Sequence, residues 1–253
     1  MMEGLKHNWQ IVKYNGLKIY YLPALDGGGR DFVHDYQKLV KQLFGKVDKV
    51  CEFASGCGFI GFSLLASGLC QKLCLIDVNP QAIKCCIKTI KSNGLKNVTA
   101  YVCDVFDKIP KDAKWDLVVG NPPHFNGTLK EYQRNKILID PGWRIHKEFY
   151  KGISRFLSNK GSVLLVENFK GSSPKIWQKI INKNHLSFVK TILPKRNFLQ
   201  KFKEIIRIIY SLKWQDFKNA FSFYKTRQRK IKNYKILTQM FSPHYYVWSK
   251  KNI

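Results

Sequence analysis

From about residue 49 to residue 193, short apolar runs alternate with stretches in which apolar side chains recur at helical spacing. Lys49-Val-Cys-Glu-Phe-Ala54 reads as a strand that runs into the turn Ser55-Gly-Cys-Gly58, and Phe59 to Leu69 follows with helical spacing. Lys72 to Val78 is a second strand. Asn79-Pro80 then supplies a cap residue followed by proline at the first helical position. That helix is expected to reach about Ser92 and to stop at Asn93-Gly94. Val98–Asp104 and Trp115–Gly120 read as further strands, His146–Leu157 as a helix and Gly161–Asn168 as a fifth strand. A helix over Pro174–Asn184 and a strand near Phe188–Leu193 complete the series. Strands alternating with helices predict an α/β fold, a Rossmann-like doubly wound sheet that is mostly parallel.

The tail offers two candidates for a last strand, Glu204–Leu212 and His244–Trp248. Tyr245-Tyr-Val-Trp248 is preferred, as an antiparallel strand at the sheet edge. Residues 195–243 then become a basic insertion or subdomain, with Phe198, Phe202, Ile205, Ile206 and Ile209 at helical spacing. The expected organisation is an N-terminal extension over 1–45 that lines the cofactor site, a core over 46–194, the insertion, and the final strand in 244–253.

Composition narrows the class. A chain of 253 residues, 45% hydrophobic and 14% aromatic, can bury a core and is not globally disordered. No apolar stretch approaches the roughly 18–20 residues of a membrane span, and Met1–Asn8 lacks the apolar core of a signal peptide. The expectation is a cytoplasmic protein without a membrane partner. Its seven cysteines all fall between Cys51 and Cys103 with no Cys-x-x-Cys pair, so they are expected as buried, reduced thiols with no metal site.

Charge points to a partner. The net charge is +27, and residues 171–253 carry 19 basic against 2 acidic residues. Such an excess suits an anionic partner such as RNA. Only 8 of the 44 basic residues are Arg, however, and the chain is rich in Lys, Ile and Asn, so lysine-rich coding accounts for part of it.

Two motifs carry chemistry. Gly56-x-Gly58-x-x-Gly61 follows the first strand and opens a helix, which lets a nucleoside cofactor approach the backbone; Asp77, ending the second strand, suits ribose hydroxyls. Spacing alone leaves NAD and S-adenosylmethionine both open. Glu52, four residues before Gly56, places an anion where a cationic amino-acid end would fit, and that favours S-adenosylmethionine. The second motif is Asn121-Pro122-Pro123-His124, directly after the fourth strand. Two prolines fix φ at about −65° and remove two donors, so the turn is rigid. Such a turn can hold a planar nitrogen against an electrophile, and hydride transfer does not require it.

In these residues the chain resembles class I S-adenosylmethionine-dependent methyltransferases of the Asn-Pro-Pro-aromatic group. That group holds release-factor glutamine, small-domain rRNA and adenine-N6 methyltransferases. The resemblance covers roughly residues 45–170. It implies that Glu52, Gly56 and Gly58 surround the methionine part of the cofactor, with Asn121 bordering it. Asp77 would bind the ribose and Asp104 the adenine amino group. Asn121 and the Pro122 carbonyl would accept the two N–H groups of the acceptor, leaving its lone pair aimed at the methyl. His124 departs from the usual Tyr, Phe or Trp; it is expected to contact substrate, with Phe125 sharing the stacking.

Phe125 to Arg144 reads as a functional loop in which Trp143 is a candidate aromatic wall, and the glycine-rich turn Gly27-Gly-Gly29 is a candidate cofactor lining. The implied activity is N-methylation of RNA or of a protein Gln or Asn side chain, the latter on a ribosomal or translation protein. A small-molecule or peptide N-methyltransferase and a catalytically inactive nucleic-acid-binding Rossmann protein are the alternatives.

Overall fold

The computed structural model describes residues 9–194 and 244–252. A hairpin of β1 (Gln10–Tyr14) and β2 (Leu17–Tyr21) leads into α1 (Gly29–Leu43). There follow β3 (Val47–Phe53), α2 (Phe59–Ala66), β4 (Cys70–Asp77), α3 (Pro80–Ser92), β5 (Val98–Val102) and β6 (Trp115–Gly120). Next come β7 (Phe125–Gly127), α4 (Leu129–Arg134), β8 (Ile139–Pro141), α5 (Arg144–Ile153) and β9 (Leu157–Asn168). The described chain closes with α6 (Pro174–Asn182), β10 (Leu186–Ile192) and β11 (His244–Lys251).

Seven strands form one sheet in the order β10-β11-β9-β6-β3-β4-β5. The pairs β3–β4, β4–β5, β3–β6 and β6–β9 are parallel, and β11 runs antiparallel to both of its neighbours. Strand order reverses between β3 and β6, the place where an open α/β sheet parts its crossovers and leaves a crevice.

Period-two alternation builds a core on each face. Val50, Leu75, Leu117, Val119, Leu164 and Val166 join Tyr36 and Val40 of α1, Phe59 and Phe62 of α2 and Ile83 of α3. Cys51, Phe53, Ile76, Val118, Val163 and Leu165, on the opposite face of the same strands, join Phe149 and Ile153 of α5 and Trp177 and Ile181 of α6. Alternate residues thus serve opposite layers, and helices cover both faces. All seven cysteines are free and buried. Among the described residues no helix is long and apolar enough to cross a membrane, and no group of metal-ligating side chains appears.

Three expectations need correction. The antiparallel strand β11 is not at the edge; it is inserted between β9 and β10, and β10 is the outer strand. Its residues Tyr245, Tyr246 and Val247 are all fully buried, as an interior position demands. The segment after the proline turn is not an open loop but contains β7, α4 and β8, and Thr128 closes α4 with a capping box against Glu131. β9 begins at Leu157, and its pairing with β6 jumps from Trp115↔Leu157 to Leu117↔Ser162. Gly161 permits that bulge, because a Cβ there would lie 2.8 Å from the Leu157 Cβ. The proposed insertion, including the alternative strand Glu204–Leu212, lies outside the described residues.

Candidate active site

The first glycine turn is shaped by glycine itself. Gly56 and Gly58 have φ of +52° and +79°, a region that side chains with a Cβ disfavour. Gly61 is needed for a different reason: its backbone N–H donates to Glu52 Oε2 at 2.7 Å, and a Cβ would sit 2.8 Å from that same oxygen. The third glycine therefore lets the carboxyl reach the N-terminus of α2. Burial pushes the Glu52 carboxyl up to about 8, against the backbone N–H groups of Gly61 and Ile60, which lower it, while the nearby Asp77 raises it further. At neutral pH this group is ready to ionise as soon as a cation faces it.

Asp77 ends β4 and is fixed by backbone donors. Gly56 N–H gives to one of its oxygens at 2.7 Å and Asn79 N–H to the other at 2.8 Å. Burial raises its carboxyl, and those two donors oppose the shift. Asp104 lies two residues beyond β5 and is half-exposed, with Arg144 at 3.4 Å.

These side chains line one cavity of about 330 Å³ at the C-terminal ends of β3, β4 and β5, beside β6. Glu52, Gly56, Asp77, Asp104 and Asn121 all face it. Leu25, Gly27 and Gly29 close it from the N-terminal side, and Tyr132, Lys136 and Ile137 close it from the segment after the proline turn.

The proline turn is locked in place by packing of backbone on backbone. At Gly120, the last residue of β6, a Cβ would meet the Phe53 carbonyl oxygen at 2.3 Å, so only glycine lets β6 end this close to β3. Tyr36 donates its hydroxyl to the Gly120 carbonyl at 2.6 Å. Asn121 Nδ2 donates to the Gly27 carbonyl at 3.1 Å, and its Oδ1 is buried without a hydrogen-bond partner. Beyond the turn, a Cβ on Gly171 would lie 1.8 Å from the His124 carbonyl oxygen, so the loop after β9 rests directly on the turn.

The remaining expected residues lie elsewhere. His124 is 7% exposed and does not line the cavity. Its ring packs edge-on to Phe32, with centroids 6.5 Å apart, and 5.6 Å from the ring of His244. Phe125 opens β7 half-buried, its N–H donating to the Leu138 carbonyl at 2.9 Å. Trp143 is no wall of the cavity: it is buried edge-on to Trp177 at 4.7 Å and belongs to the α5–α6 core.

A buried polar chain behind the turn was not anticipated. His146 Nδ1 lies 2.7 Å from Asp140 Oδ2 and its Nε2 lies 3.0 Å from Glu167 Oε1, all three side chains fully buried. Glu167 Oε2 is 4.0 Å from His124 Nδ1. A signal existed in the sequence: Glu167 directly follows the apolar run Val163-Leu-Leu-Val166 while still within the strand, and Glu52 likewise places a carboxylate within the apolar β3.

A parallel doubly wound sheet with β11 turned antiparallel, and a glycine turn facing a proline turn across the switch point, define the fold as that of class I methyltransferases. Residues 24–192 match the family model described as "Methyltransferase small domain", and the chain belongs to that family. It is 28% identical over 163 residues to the release factor glutamine methyltransferase of Fusobacterium nucleatum, covering 60% of this chain and 46% of that protein. It is 28% identical over 167 residues to the ribosomal RNA small subunit methyltransferase C of Actinobacillus pleuropneumoniae, covering 64% and 46%.

The matched region thus spans about half the length of these curated relatives. Among solved structures, the T. thermophilus 16S rRNA N2 G1207 methyltransferase in complex with AdoMet and guanosine aligns with TM-score 0.57 at 12% identity, over 96% of this chain and 50% of that one. M. jannaschii TYW2 in complex with AdoMet aligns with TM-score 0.55 at 16% identity, over 98% and 88%. At these identities the two structures speak to the fold.

Proposed function

We propose that this chain is an S-adenosylmethionine-dependent N-methyltransferase whose acceptor is an exocyclic base amine in RNA. The observation that carries the reading is Asn121 Oδ1, buried and unpartnered at the rim of the cavity while Nδ2 is held by Gly27. An oxygen so placed accepts an N–H, and a buried acceptor left without one costs about 1–3 kcal/mol.

The residues present fit the cofactor. Glu52 would face its cationic amino-acid end, Gly56 leaves room for the backbone to approach, and Asp77 would take the ribose; Gly58 does not line the cavity, and its missing Cβ makes room for Phe62 and Leu75 instead. Asp104 would face the adenine. The bound cofactor supplies an electrophilic methyl on a sulfonium. Asn121 Oδ1 and the Pro122 carbonyl then hold the two hydrogens of the acceptor nitrogen and turn its lone pair out of conjugation. Fixed dipoles of this kind act most strongly on charge that develops in the transition state.

RNA is favoured over a protein amide by charge, since residues 171–253 carry 19 basic and 2 acidic residues. The relatives named for ribosomal RNA support the same choice. Tritiated S-adenosylmethionine, small-subunit rRNA and a recombinant release factor in separate reactions provide the test. Label in the RNA, falling steeply as salt rises, is the expected result; label in the release factor alone overturns the RNA acceptor.

A further inference from the structure

Three consecutive glycines open α1, and the peptide joining the first two carries the carbonyl that Asn121 holds. Across a planar trans peptide the C=O of one residue and the N–H of the next point in opposite directions. On one side the Gly27 carbonyl accepts from Asn121 Nδ2 at 3.1 Å. On the other, the Gly28 N–H donates to Asp26 Oδ1 at 3.2 Å. One peptide plane is therefore gripped from both edges, by Asn121 of the proline turn and by Asp26.

Asp26 is itself anchored. Its Oδ2 lies 2.9 Å from Arg30 Nε, in the first turn of α1, and the side chain is 16% exposed. Arg30 Nη1 donates to the Tyr21 hydroxyl at 2.9 Å, and that hydroxyl donates to the Gln10 side-chain oxygen at 2.7 Å. The carboxyl is thus tied through Arg30 to both strands of the β1–β2 hairpin. None of these four side chains lines the cavity, so the chain they form reaches it only through the glycine turn.

Gly28 has a φ of +83°, and neither Gly27 nor Gly28 carries a Cβ, so the plane between them can turn over at little steric cost. Turned over, the peptide would offer Asn121 an N–H in place of a carbonyl. The end of a primary amide that meets an N–H is its oxygen, so Oδ1 would swing to Gly28 and be consumed there. In the observed plane Oδ1 has no partner and stays available.

We propose that Asp26, anchored by Arg30, is a positioning residue that fixes the plane of the Gly27–Gly28 peptide and so keeps the oxygen end of Asn121 for the acceptor nitrogen. The proposal rests on the N-methyltransferase reading above, in which Asn121 Oδ1 takes one N–H of that nitrogen. Asp26 touches neither cofactor nor acceptor. It acts on turnover through one peptide plane and one amide.

The test compares wild type, D26A, D26N, N121A and the double variant D26A/N121A, each as the full chain, with tritiated S-adenosylmethionine. Small-subunit rRNA and a recombinant release factor are the acceptor probes, and the one that wild type labels serves for every variant. Cofactor Kd and melting temperature are measured in parallel. D26A is expected to lose kcat by about ten- to a hundredfold, the range set by one hydrogen bond to a charged group, with cofactor Kd within about twofold. D26N keeps an oxygen for the Gly28 N–H and is expected to retain most of the turnover. In the N121A background D26A is expected to change kcat by less than about twofold, because the amide it orients is gone. Wild-type turnover in D26A, or the same loss in both backgrounds, overturns the positioning role and leaves the N-methyltransferase reading standing. Wild-type turnover in N121A, or cofactor binding by wild type with no label in either acceptor, overturns that reading and the proposal with it.

Discussion

Asn121 Nδ2 donates to the carbonyl of Gly27 at 3.1 Å, joining the proline turn after β6 to the glycine turn before α1. A carbonyl can only accept, so the amide is held with Nδ2 toward Gly27 and Oδ1 turned away from it, buried and without a partner.

N121D therefore tests the orientation of the amide, and N121A its presence. Aspartate keeps an oxygen at the Oδ1 position but sets a second oxygen against the Gly27 carbonyl. Both variants are expected to lose turnover by at least about a hundredfold, the scale seen when one oriented donor or acceptor is removed from a reacting centre. Cofactor Kd by titration calorimetry is expected to change little. Wild-type turnover in N121A would remove the role given to this side chain.

In the role proposed for it, Glu52 is expected to make cofactor binding depend on pH. Its carboxyl is raised to about 8 in the protein against an ordinary value near 4.5. The folded chain therefore holds a proton that the unfolded chain has lost, and the stability of the ligand-free protein falls as pH rises from 4.5 through 8. A cationic ligand favours the ionised form, so binding releases that proton. S-adenosylmethionine affinity is expected to strengthen between pH 6 and about 8.5, and calorimetry in buffers of different ionisation enthalpy is expected to report proton release. In E52Q both effects are expected to vanish.

Gly171 and His124 meet backbone to backbone, and a Cβ on Gly171 would lie 1.8 Å from the His124 carbonyl oxygen. G171A is expected to push the turn away from the loop after β9, costing about 1–3 kcal/mol of stability and most of the turnover. G142A is the control: Gly142 has nothing within 4 Å of the added methyl but a φ of +58°, so it is expected to cost stability alone. Equal activity in the two variants would show that the loop does not hold the turn.

The frame of the fold was legible wherever local pattern and burial agree. β6 spans Trp115–Gly120 as its apolar run suggests, and α3 begins where Asn79 can cap it, Asn79 Oδ1 accepting from Gln81 N–H at 2.9 Å. Place in the sheet was not legible for β11, because an apolar run states burial and not which strands flank it. Trp143 misled for a related reason. A large aromatic beside a glycine suits a ligand wall or a core, and only the position of Trp177 decides between them.

The cavity-lining residues Glu52 and Gly56 stand in one contiguous stretch of sequence, whereas the chain from Asp140 to Glu167 is assembled by three elements that meet only in the folded sheet. Glu167 alone advertised itself, as a carboxylate inside an apolar strand.

Titration calorimetry of the full chain with S-adenosylmethionine, and separately with NAD, tests the central claim most directly. One molecule of S-adenosylmethionine bound per chain, S-adenosylhomocysteine bound at the same site and no heat from NAD is the predicted result. No heat from S-adenosylmethionine, or saturable binding of NAD in its place, would contradict the account.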